Sequence, residues 1–557
     1  MAKRISRREF LNHAAATGLA APAVPALVAA SSGVLSVGTA AAAEELGALI
    51  PTLSIVSYAT DSGPQYQQSA RVLAETFKKL GLDVKLAPMQ QSTMVKRIHV
   101  GGGLEDLALG SWGGDPDRLD PNFWINDLSA CGSKRNAVKW CDKTYSELAQ
   151  KQLRTLDEEK RLELVWQAQK YFHEHAPWWQ VSHATVGILY NKSRWENVTN
   201  PAPVPPHETV VHPWLRIKPK SSDRILKWAH YEDVSTYNPI GELTSQGWIR
   251  FVYDSYLRFD GNKIVPWAAE SWKVVDDTTL ELRLRSGMTF HDGKPVTAED
   301  AVFSFNLMVK HQPPVIADAL RSIKGAERID DMGFRLKLSE PNAAIFRHAL
   351  TKLVILPKHV WEKIADPVAW DPIPDKGVIG SGPFVFESWS PNQVHVLRTH
   401  KKHWAAPAYD GIRRLSLGQA DAIRAAMMDG SADIATAVLP AATMKELSES
   451  EDSLGFLTAQ TINTTTVWVN HQKAPFNDLA FRKALRLATD RERVALEAWL
   501  GFAIPAGEGN VPIGLGKWHN ADLEKIPFDV QKARQVLKEA GYGWDSSGRL
   551  HMPAKKG

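Results

Sequence analysis

Between Leu53 and Leu86 the apolar period of this chain switches from two to 3.6 and back. Leu53–Tyr58 alternates as a strand and the polar loop Thr60-Asp61-Ser62-Gly63-Pro64 follows. From about Ser69, residues Val72, Leu73, Phe77 and Leu80 share one helical face; Gly81 stops the helix, and residues 83–86 read as another strand. A strand, helix, strand unit commits this part of the chain to an α/β lobe. With 557 residues the chain exceeds a single core and divides into two or three lobes.

Further elements extend the pattern. Leu107–Trp112 is a short strand ending in the acidic loop Gly113-Gly114-Asp115-Pro116-Asp117, and residues 157–173 form an amphipathic helix with Leu162, Val165, Trp166, Gln169 and Phe172 on one side, closed by Pro177. Between Asn200 and Ser222 prolines and basic residues dominate, the composition of a connection between folded regions. A second set of elements begins with strands at 225–229 and Thr279–Leu284 and a helix at 300–309. Gly380-Ser381-Gly382-Pro383 before a strand at 384–387 reads as a crossing or hinge. Helices are expected at 480–487, 491–500 and 529–540, and there is no short-period repeat.

The N-terminus reads as an address. Lys3, Arg4 and Ser6-Arg7-Arg8-Glu9-Phe10-Leu11 precede a weakly apolar Ala/Gly-rich stretch, and Ala41-Ala42-Ala43 precedes Glu44-Glu45. This resembles a twin-arginine signal peptide with Arg7 and Arg8 as its pair and Asn12 where lysine is commonest, implying export to the periplasm. No later apolar run reaches the ~18 residues of a membrane helix. The formal charge of +4 sits mostly in this leader, so the remainder is near neutral and no nucleic-acid partner is implied. Twenty tryptophans point to aromatic-lined pockets or interfaces. The two cysteines, Cys131 and Cys141, are expected to pair in an oxidising compartment, because a metal site needs more ligands and a catalytic thiol needs a base nearby.

One long block carries a family resemblance. Trp267-Ala268-Ala269-Glu270-Ser271-Trp272, Leu282-Arg283-Leu284-Arg285-Ser286-Gly287, Phe290-His291-Asp292-Gly293-Lys294-Pro295-Val296 and Ala298-Glu299-Asp300 resemble, in order and spacing, the signature of family 5 extracytoplasmic solute-binding proteins, which deliver peptides, nickel complexes and related solutes to ABC transporters. Gly380-Ser381-Gly382-Pro383-Phe384 and Ser388-Trp389 resemble that family's crossing between lobes, and Pro475-Phe476-Asn477-Asp478 through Ala540-Gly541-Tyr542 the start of its last lobe. Trp112-Gly113-Gly114-Asp115, Asp120-Pro121-Asn122-Phe123, Cys131, Lys139-Trp140-Cys141 and Arg161 to Pro177 resemble the dipeptide-binding members, but stand before the signature block instead of after it. The resemblance therefore implies an α/β, periplasmic-binding-protein-like two-lobe clamshell with an extra subdomain, circularly permuted.

The implied organisation is a signal peptide over 1–43, the first part of a permuted lobe over 44–193, a return with the Pro-rich joining linker over 194–253, an inserted subdomain over 254–375, the other lobe over 376–468 and the rest of the permuted lobe over 469–557. The resemblance assigns Asp115 to a ligand ammonium, which needs an opposite charge when buried. It places Ser245, Gln246, Gly247 and Trp248 on the opposing lobe and a Cys131–Cys141 disulfide near the site; Trp112 is either core packing or a wall of the pocket. Dipeptide binders carry an arginine where Thr60-Asp61-Ser62-Gly63 stands, so a longer peptide, an amino-sugar, an opine or another cationic solute fits better than a dipeptide. The implied partners are an ABC permease and ATPase at the inner membrane, and the implied state is a monomer without cofactor or metal. A sensor or peptide chaperone using the same cleft is the alternative. Catalysis is not expected: His173-Glu174-His175 is not H-E-x-x-H, Gly101-Gly102-Gly103 lacks a phosphate-loop lysine, and no G-x-S-x-G appears.

Overall fold

The computed structural model describes residues 46–59, 63–90, 93–94, 96–100, 103–113, 116–199, 211–230, 233–234, 236–241, 246–436, 440–449 and 454–554. The alternation at the start becomes strand β1 (Leu53–Tyr58), followed by α1 (Pro64–Lys78), β2 (Val84–Met89) and β3 (Leu107–Trp112). Helix α1 begins five residues before the apolar face does, because Pro64 at its first turn already has a helical φ. Then come α2 (Lys143–Arg154), α3 (Glu158–His175) and the long strand β4 (Trp178–Asn191). The Asp157 carboxylate caps α3 by accepting from Lys160 N–H at 2.9 Å, and Ala176 ends it in the left-handed region. Its buried stripe is Arg161, Leu164, Val165, Ala168, Gln169 and Phe172, rotated from the expected one because Arg161 turns inward to a buried carboxylate.

The middle of the chain supplies β5 (Ile225–His230), α4 (Gln246–Val252), β6 (Ala269–Asp276), β7 (Thr279–Leu284), α5 (Ala298–His311), β8 (Ile323–Arg328), β9 (Gly333–Leu338), β10 (Phe384–Ser390), β11 (Val394–Thr399), β12 (Gly411–Ser416) and β13 (Ile434–Ala435). The last part supplies β14 (Leu454–Val469), α6 (Leu479–Leu487), β15 (Ala503–Pro505) and α7 (Val530–Glu539). Strands β6-β7-β9-β8 form a separate antiparallel sheet. An 11-stranded sheet runs β10-β11-β12-β5-β13-β4-β14-β3-β1-β2, with β15 on the free edge of β4. The expected helix at 491–500 is a short α-turn at Arg491–Arg493 continued by a π-turn at Val494–Ala498.

Two halves hang from this sheet. In the terminal half, Leu53, Ile55, Val72, Leu73 and Phe77 pack with Phe476, Phe481, Leu485, Trp499, Leu537 and Leu550 in one buried cluster, so one core is drawn from both ends of the described chain. Each such fully buried large side chain contributes about 1.5–3 kcal/mol. The central half has its own core around Trp228, Trp248, Phe251, Tyr256, Phe305 and Phe334. The chain passes between the halves in β4 and β14, which pair antiparallel along most of their length.

Two sequence expectations need correction. The Pro-rich stretch is not a bare linker: Val211, Trp214 and Ile217 are buried in the central core, Trp214 packs 4.2 Å from Trp228, and Lys218–Pro219 pairs with Trp195–Glu196. The apolar residues between its prolines pin it down; residues 200–210 lie outside the described residues. Nor is Gly380-Ser381-Gly382-Pro383 the crossing between halves. It returns the chain from the four-stranded sheet to β10, and a Cβ on Gly380 would stand 2.0 Å from the Val252 carbonyl oxygen. Gly382 N–H donates to that same oxygen at 2.8 Å, so the glycines are required by backbone packed on backbone.

Candidate functional site

The topology points both halves at one ribbon. Strand β3 runs antiparallel to β14 with Trp112 opposite Thr464, and β1 is parallel to β3, so both carboxyl ends arrive at the middle of the β4–β14 ribbon. From the other side, β5 and β13 are parallel and β13 pairs antiparallel with β4 at Leu189, so their carboxyl ends point to the same place. In open α/β sheets ligands bind outside the carboxyl ends of the strands. Here the ribbon is irregular: its register shifts between Gln460 and Thr464 and again between Thr465 and Thr466.

On the terminal half the strand end is aromatic and cationic. Trp112, partly exposed, meets Phe123 and Trp468 edge to face at 5.4 and 6.1 Å, and the Arg118 guanidinium lies 5.4 Å from its ring centre. Tyr66 donates to Ser111 Oγ at 3.1 Å, and burial raises the pKa values of both Tyr58 and Tyr66, keeping the phenols neutral. In the ribbon, His183 faces Thr464 across the pair and is fully buried. Burial, with His519 and Arg491 nearby, holds its pKa down at about 3, so the imidazole is neutral. Thr464 and Thr466 hydroxyls bond each other at 3.0 Å.

The expected site residues divide. Asp115, Ser245 and the signal pair Arg7 and Arg8 lie outside the described residues. Gln246 and Gly247 open α4. Trp248 is completely buried, its indole N–H donates to Tyr237 Oη at 2.9 Å, and Trp228 and Phe251 pack on it. With its single donor satisfied internally and no exposed face, Trp248 is core and not a crevice wall. Cys131 and Cys141 are joined in a disulfide with Cα atoms 4.5 Å apart, closing a loop that Asn136 braces by donating to Trp140 O at 2.7 Å.

Sequence reading missed the ribbon residues and a buried polar contact between the halves. In that contact Arg161 holds Asp120 in a bidentate pair at 2.6 and 3.0 Å, both side chains almost wholly buried, and reaches across to Ala343 O at 3.2 Å. From the other side Arg347 donates to Leu119 O at 3.0 Å. The inward-facing arginine on an apolar helix stripe was the available signal. Among the described residues no group of three His, Cys, Asp or Glu could hold a metal, and no helix is long and apolar enough to cross a membrane.

Comparison with known proteins gives a consistent neighbourhood. The family model described as bacterial extracellular solute-binding proteins, family 5 Middle, matches residues 263–556. The oligopeptide-binding protein AppA of Bacillus subtilis is 28% identical over 295 residues, 52% of this chain and 53% of its own length. The heme-binding protein A of Haemophilus influenzae is 25% identical over 318 residues, covering 52% and 56%. The chain thus spans about half the length of the curated relatives it matches. Among solved structures, a periplasmic oligopeptide-binding protein of Thermotoga maritima matches with a TM-score of 0.48 at 22% identity, over 59% of this chain and 66% of that one.

Proposed function

Because the chain belongs to the family 5 bacterial extracellular solute-binding proteins, we propose that it captures a small solute in the crevice between its halves and delivers it to an ABC importer. The observation that carries this reading is the convergence of strand carboxyl ends from both halves on the one ribbon that joins them. The solute is a peptide, an opine or a similar cationic compound: Trp112 forms the wall and Asp115, three residues on in sequence, takes the positive charge. The protein works outside the cytoplasm, exported by the twin-arginine segment at residues 1–43, and meets a permease and an ATPase at the inner membrane as a monomer. It is a binding protein, not an enzyme.

The order of its parts is a circular permutation of the family's. What supports this is the meeting of the two ends of the terminal half: Gly47 N–H donates to Met552 O at 3.2 Å and Ile50 N–H to Leu550 O at 3.1 Å, so a direct link there would restore the usual order.

The test is mass spectrometry of small molecules released from the protein purified from the periplasm, followed by titration of the recovered solute into wild type, Asp115→Asn and Trp112→Phe. A cationic solute whose affinity falls at least tenfold in Asp115→Asn is expected. Equal affinity in that variant refutes the anchor, and a protein that releases and binds no solute refutes capture.

A further inference from the structure

We propose that Arg161 and Arg347 are positioning residues that form a reciprocal clasp across the crevice mouth and set how tightly the closed protein holds its solute. This rests on the reading that the solute is captured between the halves. Each guanidinium is anchored on its own side and reaches one backbone carbonyl on the other. Arg161, from α3 of the terminal half, is held by Asp120 and by Gln152 Oε1 at 3.1 Å, and extends to Ala343 O at 3.2 Å. Arg347, on the central side, donates to Asn262 O and Oδ1 at 3.0 and 2.6 Å and extends to Leu119 O at 3.0 Å. Asn262 completes the set by donating to Leu515 O at 2.7 Å.

Burial separates this clasp from the ion pairs around it. Arg161, Asp120 and Arg347 are 3%, 1% and 8% exposed. Two other pairs between the halves among the described residues, Arg135–Asp318 and Arg154–Glu340, have side chains 35–55% exposed, where screening leaves little net attraction. The clasp is also reversible by design of its partners. When the halves part, Arg161 keeps Asp120 and Arg347 keeps Asn262, so neither charge is stranded; the three carbonyl contacts pass to water, and Phe259, buried among Trp124, Leu515 and Trp518, is uncovered with them.

The test needs no solute. Small-angle X-ray scattering of the solute-free protein, fitted as a mixture of closed and open forms, is compared for wild type, Arg347→Met, Arg347→Lys and Asn262→Ala, with thermal melts establishing that each is folded. Loss of a charged hydrogen bond across the mouth is expected to lower the closed-to-open ratio roughly tenfold or more in Arg347→Met. Arg347→Lys should recover part of it, Asn262→Ala should shift in the same direction, and 0.5 M NaCl should change wild type little. Unchanged scattering in Arg347→Met and Asn262→Ala overturns the clasp, as does salt alone opening wild type, which would assign closure to the exposed pairs. If neither variant folds, the contacts are scaffold and the clasp is again refuted. None of these outcomes bears on whether the protein binds a solute, which the released-molecule experiment decides separately.

Discussion

Acidification should loosen the junction where the four-stranded sheet rejoins the large one, and His291 is the residue that reports it. Its Nδ1 accepts from Gly380 N–H at 3.3 Å and its Nε2 donates to Gly382 O at 3.1 Å, a pairing that requires the neutral ring. His400 packs edge to face at 5.0 Å and reaches the same carbonyl at 3.2 Å. Burial, with His400 and His403 adding to it and Asp254 and the Gly382 carbonyl opposing, lowers the His291 pKa from 6.5 to about 4. The unfolded chain therefore binds more protons than the folded one between pH 6.5 and 4. Stability is at its full value above this window, falls as pH drops through it, and the loss is complete below pH 4. At about 1.4 kcal/mol per pKa unit the complete loss is on the order of 3 kcal/mol, and at pH 5 roughly 2 kcal/mol of it is already felt. Urea denaturation of wild type and His291→Gln at pH 7.5 and pH 5 measures the difference. Gln can offer the same donor without titrating, so wild type should lose about 2 kcal/mol more than the variant over that interval. Parallel losses would show that the ring is not held neutral by its surroundings and would refute the argument.

Other outcomes follow from the same geometry. Gly380→Ala puts a methyl 2.0 Å from the Val252 carbonyl oxygen with backbone on both sides, so it should cost more than about 2 kcal/mol in a thermal or chemical melt, whereas Gly287→Ala, where nothing lies within 4 Å but φ is +75°, should cost only about 1 kcal/mol. Replacing Cys131 and Cys141 by serine frees a loop closed over a separation of 10 residues and should lower stability by about 2–3 kcal/mol in urea, an effect that a reducing agent reproduces in wild type only. Burial pushes the Asp127 carboxyl up to about 7 despite the opposing charges of Arg321 and Arg135. The folded state then binds more protons between pH 3.8 and 7, so stability falls as pH rises through that window; Asp127→Asn should gain on wild type by on the order of 1 kcal/mol between pH 6 and 8.

Much of the local structure was legible because it depends on neighbours in sequence. Leu53–Tyr58, Leu107–Trp112 and Thr279–Leu284 are strands at the bounds their pattern suggests, and the helix expected before Gly541 is present at Val530–Glu539. What escaped depends on partners far along the chain. Nothing near His183 announces that Thr464 lies opposite it, and nothing near Arg161 announces that Ala343 receives its hydrogen bond. The resemblance puts Trp248 on the opposing lobe, whereas in the fold Tyr237 accepts its indole N–H inside the core. The proline count of 200–222 hid Trp214, whose burial decides the path of the segment more than its prolines do.

The central claim is that the solute is held between the halves, on the ribbon and beneath the clasp. A crystal structure of the protein with the solute that copurifies with it tests this most directly. Ligand density is expected against Trp112 and Thr464, enclosed by both halves with Arg161 on Ala343 and Arg347 on Leu119. Density on an outer face of either half, or a crevice left open around a solute bound by one half alone, would contradict it.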